Sequence, residues 1–428
     1  MNVSIVQVDT SIICTVISKI KKSVKSLFGF IQSKLFLLGL IAPLKLLDSK
    51  RYPNLLDSNT TNTSDLKKLK LTIEAELRRA HQIQTNLKYL NLNRIEQHSN
   101  DKIKIAFLVN SLENQLILDV MGELYDSAAE NGFDCKFFLF SNDIQHSNIS
   151  TNYLLKIDYL ADIEKFEPHL VFAEAHSNSL GNLTKEIEML NRIKSKINFK
   201  FYLISIDIWR EYDIDCIKKW ESIYDLLVHL DQQSADHFNI KNAFWWPYFG
   251  HNKIKILNGE GKPKKYDVMF SGNLNFPQRR FWLYSCLKIA KTYRIKLKIH
   301  SLNYRNGKFK PRAVYLSELM TSRSCLNHTW KKSNFTLITF RTFDVITLGG
   351  LLLQQEDEHS KPLRDFLTPY KHYIPFSSIA ELEVIFQIMK DSPELIEDIG
   401  KNGREFFEKH YSSFNLWQIL LSKLKSSN

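Results

Sequence analysis

Cysteine is scarce in this 428-residue chain: five thiols, Cys14, Cys135, Cys216, Cys286 and Cys325, stand far apart with no CxxC pair among them. That spacing excludes a zinc ribbon or a disulfide framework, and it points to a reducing, cytoplasmic compartment. A long hydrophobic run is missing too. The nearest approach, Leu27 to Leu47, is broken by Gln32, Lys34, Pro43 and Lys45, too often for a bilayer-crossing helix. A cleavable signal peptide is not expected either, because the early run Val3 to Val8 carries Gln7, Asp9 follows, and no small-residue cleavage pattern appears. Acidic residues are outnumbered, 46 against 58 basic ones, for a net charge of +12. The excess suits nucleic acid, anionic lipid or a diphosphate, and charge alone does not choose among them.

What is present is a globular composition, 44% hydrophobic and 24% charged, long enough for two domains and an extension. Residues 1–100 read as that extension. Eight Lys and Arg fall in the first 51 residues against Asp9 and Asp48, so residues 19–47 have two readings: lying on an anionic membrane surface, at the inner face, or packing on the protein itself. The polar stretch DSNTTNTSD (Asp57 to Asp65) reads as a linker, and Leu66, Leu69, Ile73, Leu77, Ile83, Leu87 and Leu90 recur at helical spacing beyond it. A helix to about Gln97 is expected there. It would serve either as a dimer contact through residues 66–97 or as packing on the main body.

From Lys102 onward apolar runs alternate with helix-length segments: KIKIAFLV, CKFFLF, HLVFAEA, KFYLISID, DLLVHLD and AFWWPYF. Runs buried on both faces, joined by crossover helices, are the signature of a parallel α/β sheet. GEGKPKK (Gly259 to Lys265) interrupts the series, and a second begins with YDVMFSG and continues through IKLKIHS, SCLNHTW, GLLLQQ and HYIPF. We therefore expect two Rossmann-like doubly wound domains, 101–258 and 266–428, the second closing with helices over Glu381 to Lys425.

The most telling stretch is RTFDVITLGGLLL, Arg341 to Leu353. A helix carrying Arg341 and Asp344 near its start should end at Gly349-Gly350 and lead into a buried strand. Such a start favours phosphate through free N–H groups, an arginine adds a bidentate contact, and a carboxylate one turn later can accept from ribose hydroxyls. An ordinary helix-to-strand junction is the plainer alternative.

In order, YDVMFSGNL, the Arg279-Arg280 pair, RTFDVITLGGLLLQQ and the terminal stretch ending in GREFFEKHYS resemble the C-terminal domain of the GT-B glycosyltransferases, in particular the spore-protein-like group that shares it with family 4. The resemblance implies a sugar nucleotide as donor substrate, no cofactor, and Gly272, Asn273, Arg280, Arg341, Asp344, Gly349 and Gly350 as donor-binding positions. Asp344 stands where the family usually has glutamate, and Glu356 and Glu358 are candidates for a second acid.

Ligands of doubly wound domains gather at the carboxyl ends of the strands, which makes Asn110, His176, Asp207 and His229 acceptor-site candidates. Asp207 resembles the aspartate after the corresponding strand in the spore-protein-like group, and helix capping is its alternative. His176 is offered as a proton acceptor, or else as a packed polar residue. No DxD stands in the family's usual position. Asp213-Ile214-Asp215 and Glu356-Asp357-Glu358 read as a helix start or a solvated charge run, so no metal is expected. Trp245, Trp246 and Tyr248 read as sugar-stacking rings or as hinge core. The expected activity is transfer of a sugar to a glycan, polysaccharide or lipid-linked acceptor. A non-catalytic binder of the same fold is the alternative, and a nucleic-acid partner is not expected because no recognition helix or aromatic-basic motif is visible.

Overall fold

A computed structural model describes residues 63–80, 82–83, 103–109, 115–139, 158–159, 162–176, 184–205, 208, 211–230, 232–246, 263–272, 277–301, 312–328, 338–357 and 361–425. Residues 19–47, Asn110, Asp207, Asn273, Tyr248 and Glu358, and the helical pattern beyond Ile83, lie outside them.

The first sheet has seven parallel strands: β1 (Lys104–Val109), β2 (Asp134–Leu139), β3 (Asp158–Tyr159), β4 (Leu170–Glu174), β5 (Lys200–Ser205), β6 (Leu226–His229) and β7 (Ala243–Trp245). Their order is β3-β2-β1-β4-β5-β6-β7. The expected runs become strands because nearly every residue in them loses its water: β4 is buried at all five positions. The chain leaves β1 toward β2 and β3, then returns to β4 on the other side. That reversal opens a crevice at the carboxyl ends of β1 and β4. Helices α2 (Gln115–Glu130), α3 (Ile163–Phe166), α4 (Thr184–Ile197), α5 (Glu211–Lys218) and α6 (Gln232–His237) make the connections.

The second sheet contains β8 (Tyr266–Gly272), β9 (Leu297–Ser301), β10 (Ser322–Asn327), β11 (Leu351–Gln355) and β12 (Ile374–Phe376), ordered β12-β11-β10-β8-β9 and again parallel. Here the reversal falls between β8 and β10. Helices α7 (Pro277–Thr292), α8 (Arg312–Leu319) and α9 (Phe340–Thr347) connect the strands, and α10 (Ile379–Asp391), α11 (Ile399–His410) and α12 (Ser413–Lys425) close the chain.

Two helices tie the ends of the chain to the sheets. Helix α1 (Thr63–Ala80) lays Ile73 and Leu77 into one apolar cluster with Leu382, Ile385 and Phe386 of α10. Over residues 66–80 its apolar stripe is thus packed within the chain, against α10. Helix α12 returns to the first domain. Trp417, fully buried, donates from Nε1 to Ser127 Oγ of α2 at 2.9 Å and packs edge-on against Phe133, Phe172 and Trp246. Trp245, whose Nε1 donates to the Leu230 carbonyl, stacks on Phe366 with ring centroids 3.5 Å apart. Trp245 and Trp246 are buried core.

Candidate active site

The carboxyl ends of β8 and β10, flanking the reversal in the second sheet, bring together Gly272, Phe270, Asn327, Arg279 and Arg341. Asn327 is fully buried at the end of β10 and acts as the joint. Its Nδ2 donates to Thr342 Oγ1 and to Gln354 Oε1, both at 2.8 Å, while its Oδ1 accepts from Arg341 Nη1 at 2.7 Å. Arg341 is thereby held over the sheet edge, 5.5 Å from the centroid of the Phe270 ring. A second guanidinium, that of Arg279, lies 5.9 Å from the same ring and donates to the His328 carbonyl at 3.3 Å. Two like charges beside one ring repel each other and attract an anion.

Gly272 explains how closely they approach. A Cβ placed there would lie 2.9 Å from Phe270 Cζ and 3.2 Å from Arg341 Nη2, so only glycine leaves this space open. Arg341 Nε is buried without a hydrogen-bond partner, and among the described residues no carboxylate pairs with this side chain. Thr339, at the N-cap of α9, makes no side-chain bond to the helix, so the first N–H groups of α9 are not capped by it. Asp344, one turn beyond Arg341, is 4% exposed.

The structure corrects part of the expected donor set. Gly349 and Gly350 lie away from this edge: they stop α9 and open β11 at its amino end. Gly349 takes φ +68°, and the N–H groups of Gly349 and Gly350 donate to the carbonyls of Ile346 and Val345, a Schellman closure. Gly400 of α11 packs so closely on Gly349 that a Cβ there would sit 2.6 Å from its carbonyl oxygen. Arg279 rather than Arg280 is the arginine turned onto Phe270, while Arg280 is half-buried on α7. Glu356 does not face a ligand either, because Arg364 donates to its Oε2 at 2.9 and 2.8 Å and the Tyr373 hydroxyl to its Oε1 at 2.6 Å.

In the first domain, Glu174 ends β4 and His176 follows it. The His176 backbone N–H donates to Glu174 Oε2 at 2.6 Å, Nδ1 lies 2.9 Å from Glu174 Oε1, and Nε2 lies 2.9 Å from Asp213 Oδ1 on α5. Burial alone would lower the imidazole pKa. The hydrogen bonds and charges of Asp213 and Glu174 overcome it and push the value up to about 10. The ring is therefore a cation with both nitrogens engaged between two buried carboxylates, which corrects the proton-acceptor reading of His176: near neutral pH it has no free lone pair to take a proton. Asp213 is accounted for by this clamp.

A small cavity lies between the carboxyl ends of β5 and β6 and Phe340, the residue before Arg341. His229 is on its wall. Among the described residues no cluster of three metal-ligating side chains occurs, and no helix is long and apolar enough to cross a membrane. Cys135, Cys216, Cys286 and Cys325 are free thiols, and burial pushes Cys325 up to about 12.

Asn327 is not among the residues the sequence singles out. The available signal was its position, a polar residue ending a buried strand at the reversal.

A model of the glycosyl transferase-like family matches residues 279–422. No curated protein sequence matches the chain. Among solved structures, an α-glucosyltransferase in complex with UDP aligns with a TM-score of 0.52 at 9% identity, over 76% of this chain and 100% of that one. The α-glucosyltransferase in complex with UDP and a 13-mer DNA containing an HMU base gives 0.50 at 9% identity, with the same coverage. HepE from Anabaena in complex with UDP-glucose gives 0.46 at 10% identity, covering 76% and 100%. At TM-scores of 0.50 and above these likenesses show the fold. The chain is a two-domain protein of GT-B fold, and residues 279–422 match the glycosyl transferase-like family.

Proposed function

We propose that the protein is a glycosyltransferase that uses a nucleotide-sugar donor, and that the edge formed by Gly272, Arg279, Asn327 and Arg341 holds the donor diphosphate. The observation that carries this reading is Arg341: a guanidinium fixed by Asn327, without a carboxylate partner among the described residues, against a glycine that leaves room beside it. In transfer the bond from the sugar C1 to the diphosphate oxygen breaks, the diphosphate leaving with the electron pair. An acceptor hydroxyl oxygen bonds to C1 and gives up its proton. Charge accumulates on the leaving oxygen, where the two guanidiniums would stabilise it without a metal. Asp344, one turn along α9, is the group that would accept from ribose hydroxyls, together with Asn273, the residue after Gly272 in the chain.

Asp207 is the remaining candidate for the proton, since His176 is already an acid at neutral pH. That same loss of a base favours a second reading, a nucleotide-sugar binder that does not transfer. Donor-dependent product formation that Arg341→Ala abolishes supports transfer. Binding of UDP-glucose with neither transfer nor hydrolysis supports the second reading. UDP is the first nucleotide to try, because the α-glucosyltransferase of shared fold was solved with it. A polysaccharide or lipid-linked glycan as acceptor, and contact of residues 19–47 with the inner membrane surface, rest on the basic N-terminal segment alone.

A further inference from the structure

We infer that Gln354 and Thr342 are positioning residues for Arg341: together they fix which end of the Asn327 amide meets the guanidinium. The inference rests on the donor reading above, in which Arg341 holds the diphosphate. Asn327 and Gln354 are register partners at the carboxyl ends of β10 and β11, and Thr342 follows Arg341 on α9. Asn327 and Thr342 are fully buried, and Gln354 is 3% exposed.

The orientation follows from groups that hydrogen-bond in one sense only. At one end stands the Gln355 backbone carbonyl, an acceptor, which takes a bond from Gln354 Nε2 at 2.8 Å and so turns Gln354 Oε1 toward Asn327. Asn327 meets that oxygen with Nδ2, which donates at 2.8 Å both to Gln354 Oε1 and to Thr342 Oγ1. The Thr342 hydroxyl closes the ring by donating to Gln354 Oε1 at 3.5 Å. Asn327 Oδ1 is left for donors, Arg341 Nη1 at 2.7 Å and the Thr339 hydroxyl at 3.5 Å. The two ends of an asparagine amide are nearly alike in size, so packing alone does not choose between them. Turned over, Asn327 would set Nδ2 against the guanidinium, donor to donor, and Oδ1 against Gln354 Oε1, acceptor to acceptor, and buried groups have no solvent to turn to instead. The anchor that results is neutral. An amide oxygen holds Arg341 without cancelling its charge, as a carboxylate in the same place would, and the charge is left for the diphosphate.

The test is UDP calorimetry on the full chain, with Thr342→Val set against Thr342→Ser, and with Gln354→Met. Valine keeps the shape and removes the hydroxyl, whereas serine keeps the hydroxyl and removes a methyl. The UDP dissociation constant should rise roughly tenfold or more in Thr342→Val and Gln354→Met, and less than about threefold in Thr342→Ser. The Thr342 pair carries the test if Gln354→Met does not fold. A second readout needs no ligand: the Asn327 side-chain amide protons in 15N-asparagine-labelled protein, assigned by their loss in Asn327→Asp. They should exchange with solvent roughly tenfold faster or more in Thr342→Val and Gln354→Met than in the wild type and Thr342→Ser. Unchanged UDP affinity in Thr342→Val and Gln354→Met, an equal loss in Thr342→Ser and Thr342→Val, or unaltered amide exchange overturns the proposal. Failure of the donor reading is separately visible, as the absence of UDP binding to the wild type, and the exchange rates then still decide whether the amide is locked.

Discussion

Asn327 joins three elements through one amide, β10, α9 and β11, and its removal should be felt in both stability and ligand binding. Asn327→Ala leaves Gln354 Oε1 without its 2.8 Å donor and lets Arg341 swing; we expect a loss of about 1–3 kcal/mol in unfolding free energy. Urea titration would show it. The buried histidines give the opposite limbs of a pH profile. His176, raised from 6.5 to about 10, contributes stability fully present below pH 6.5 and lost as pH rises through about 10. His372 is lowered to about 4, chiefly by burial, with its Nδ1 accepting from the Thr368 N–H. Its neutral form is favoured in the fold, so its contribution is full above 6.5 and declines as pH falls toward 4. Tm should be highest near pH 6.5, with His176→Gln flattening the alkaline limb and His372→Asn the acid one. An alkaline limb unchanged in His176→Gln would contradict the charged clamp. Arg341 was legible in the sequence because it opens a helix before a recognisable turn. The roles of Asn327 and of Asp213 were not, because they come from side chains 14 and 37 residues away along the chain.

Among the elements, parallel strands were the easiest to read, since strands buried on both faces are written as unbroken apolar runs. Eleven of the twelve were marked by such runs, and the exception, β3, is only two residues long. The end of α9 was legible from Gly349-Gly350, yet the function given to that pair was not: a glycine that caps a helix and one that admits a phosphate look alike in sequence. Gly272 is the one that leaves ligand space, and Gly272→Val should push Phe270 and Arg341 aside and raise the UDP dissociation constant at least tenfold. Calorimetry of UDP binding would report it, and unchanged affinity would remove Gly272 from the site. The closing helix α12 carries a different load. Trp417→Ala opens a cavity among Phe133, Phe172 and Trp246 and abandons the bond to Ser127, at a cost of about 3–5 kcal/mol. Helix α1 was readable as amphipathic, but its partner α10 was not, because a stripe of Leu and Ile fits a second copy as well as its own chain.

At the scale of the whole molecule, two parallel sheets each reverse direction once, and each reversal collects charged side chains: the His176 clamp in the first and the arginine pair in the second. Trp245 on Phe366 and Trp417 on Trp246 join the two halves through rigid rings. The fold was legible from alternation alone. The division of labour between the reversals was not, because it depends on which side chains neutralise one another: His176 is closed off by Glu174 and Asp213, while Arg341 keeps its charge open. The central claim is that this open charge binds a nucleotide diphosphate. It is tested by thermal unfolding of wild type and Arg341→Ala with UDP-, GDP-, ADP- and CMP-sugars. One nucleotide at a hundred times its dissociation constant should add about 2.7 kcal/mol to the wild type, and at the same concentration far less to Arg341→Ala. No rise in Tm with any of the four, or an equal rise in both proteins, would contradict the account.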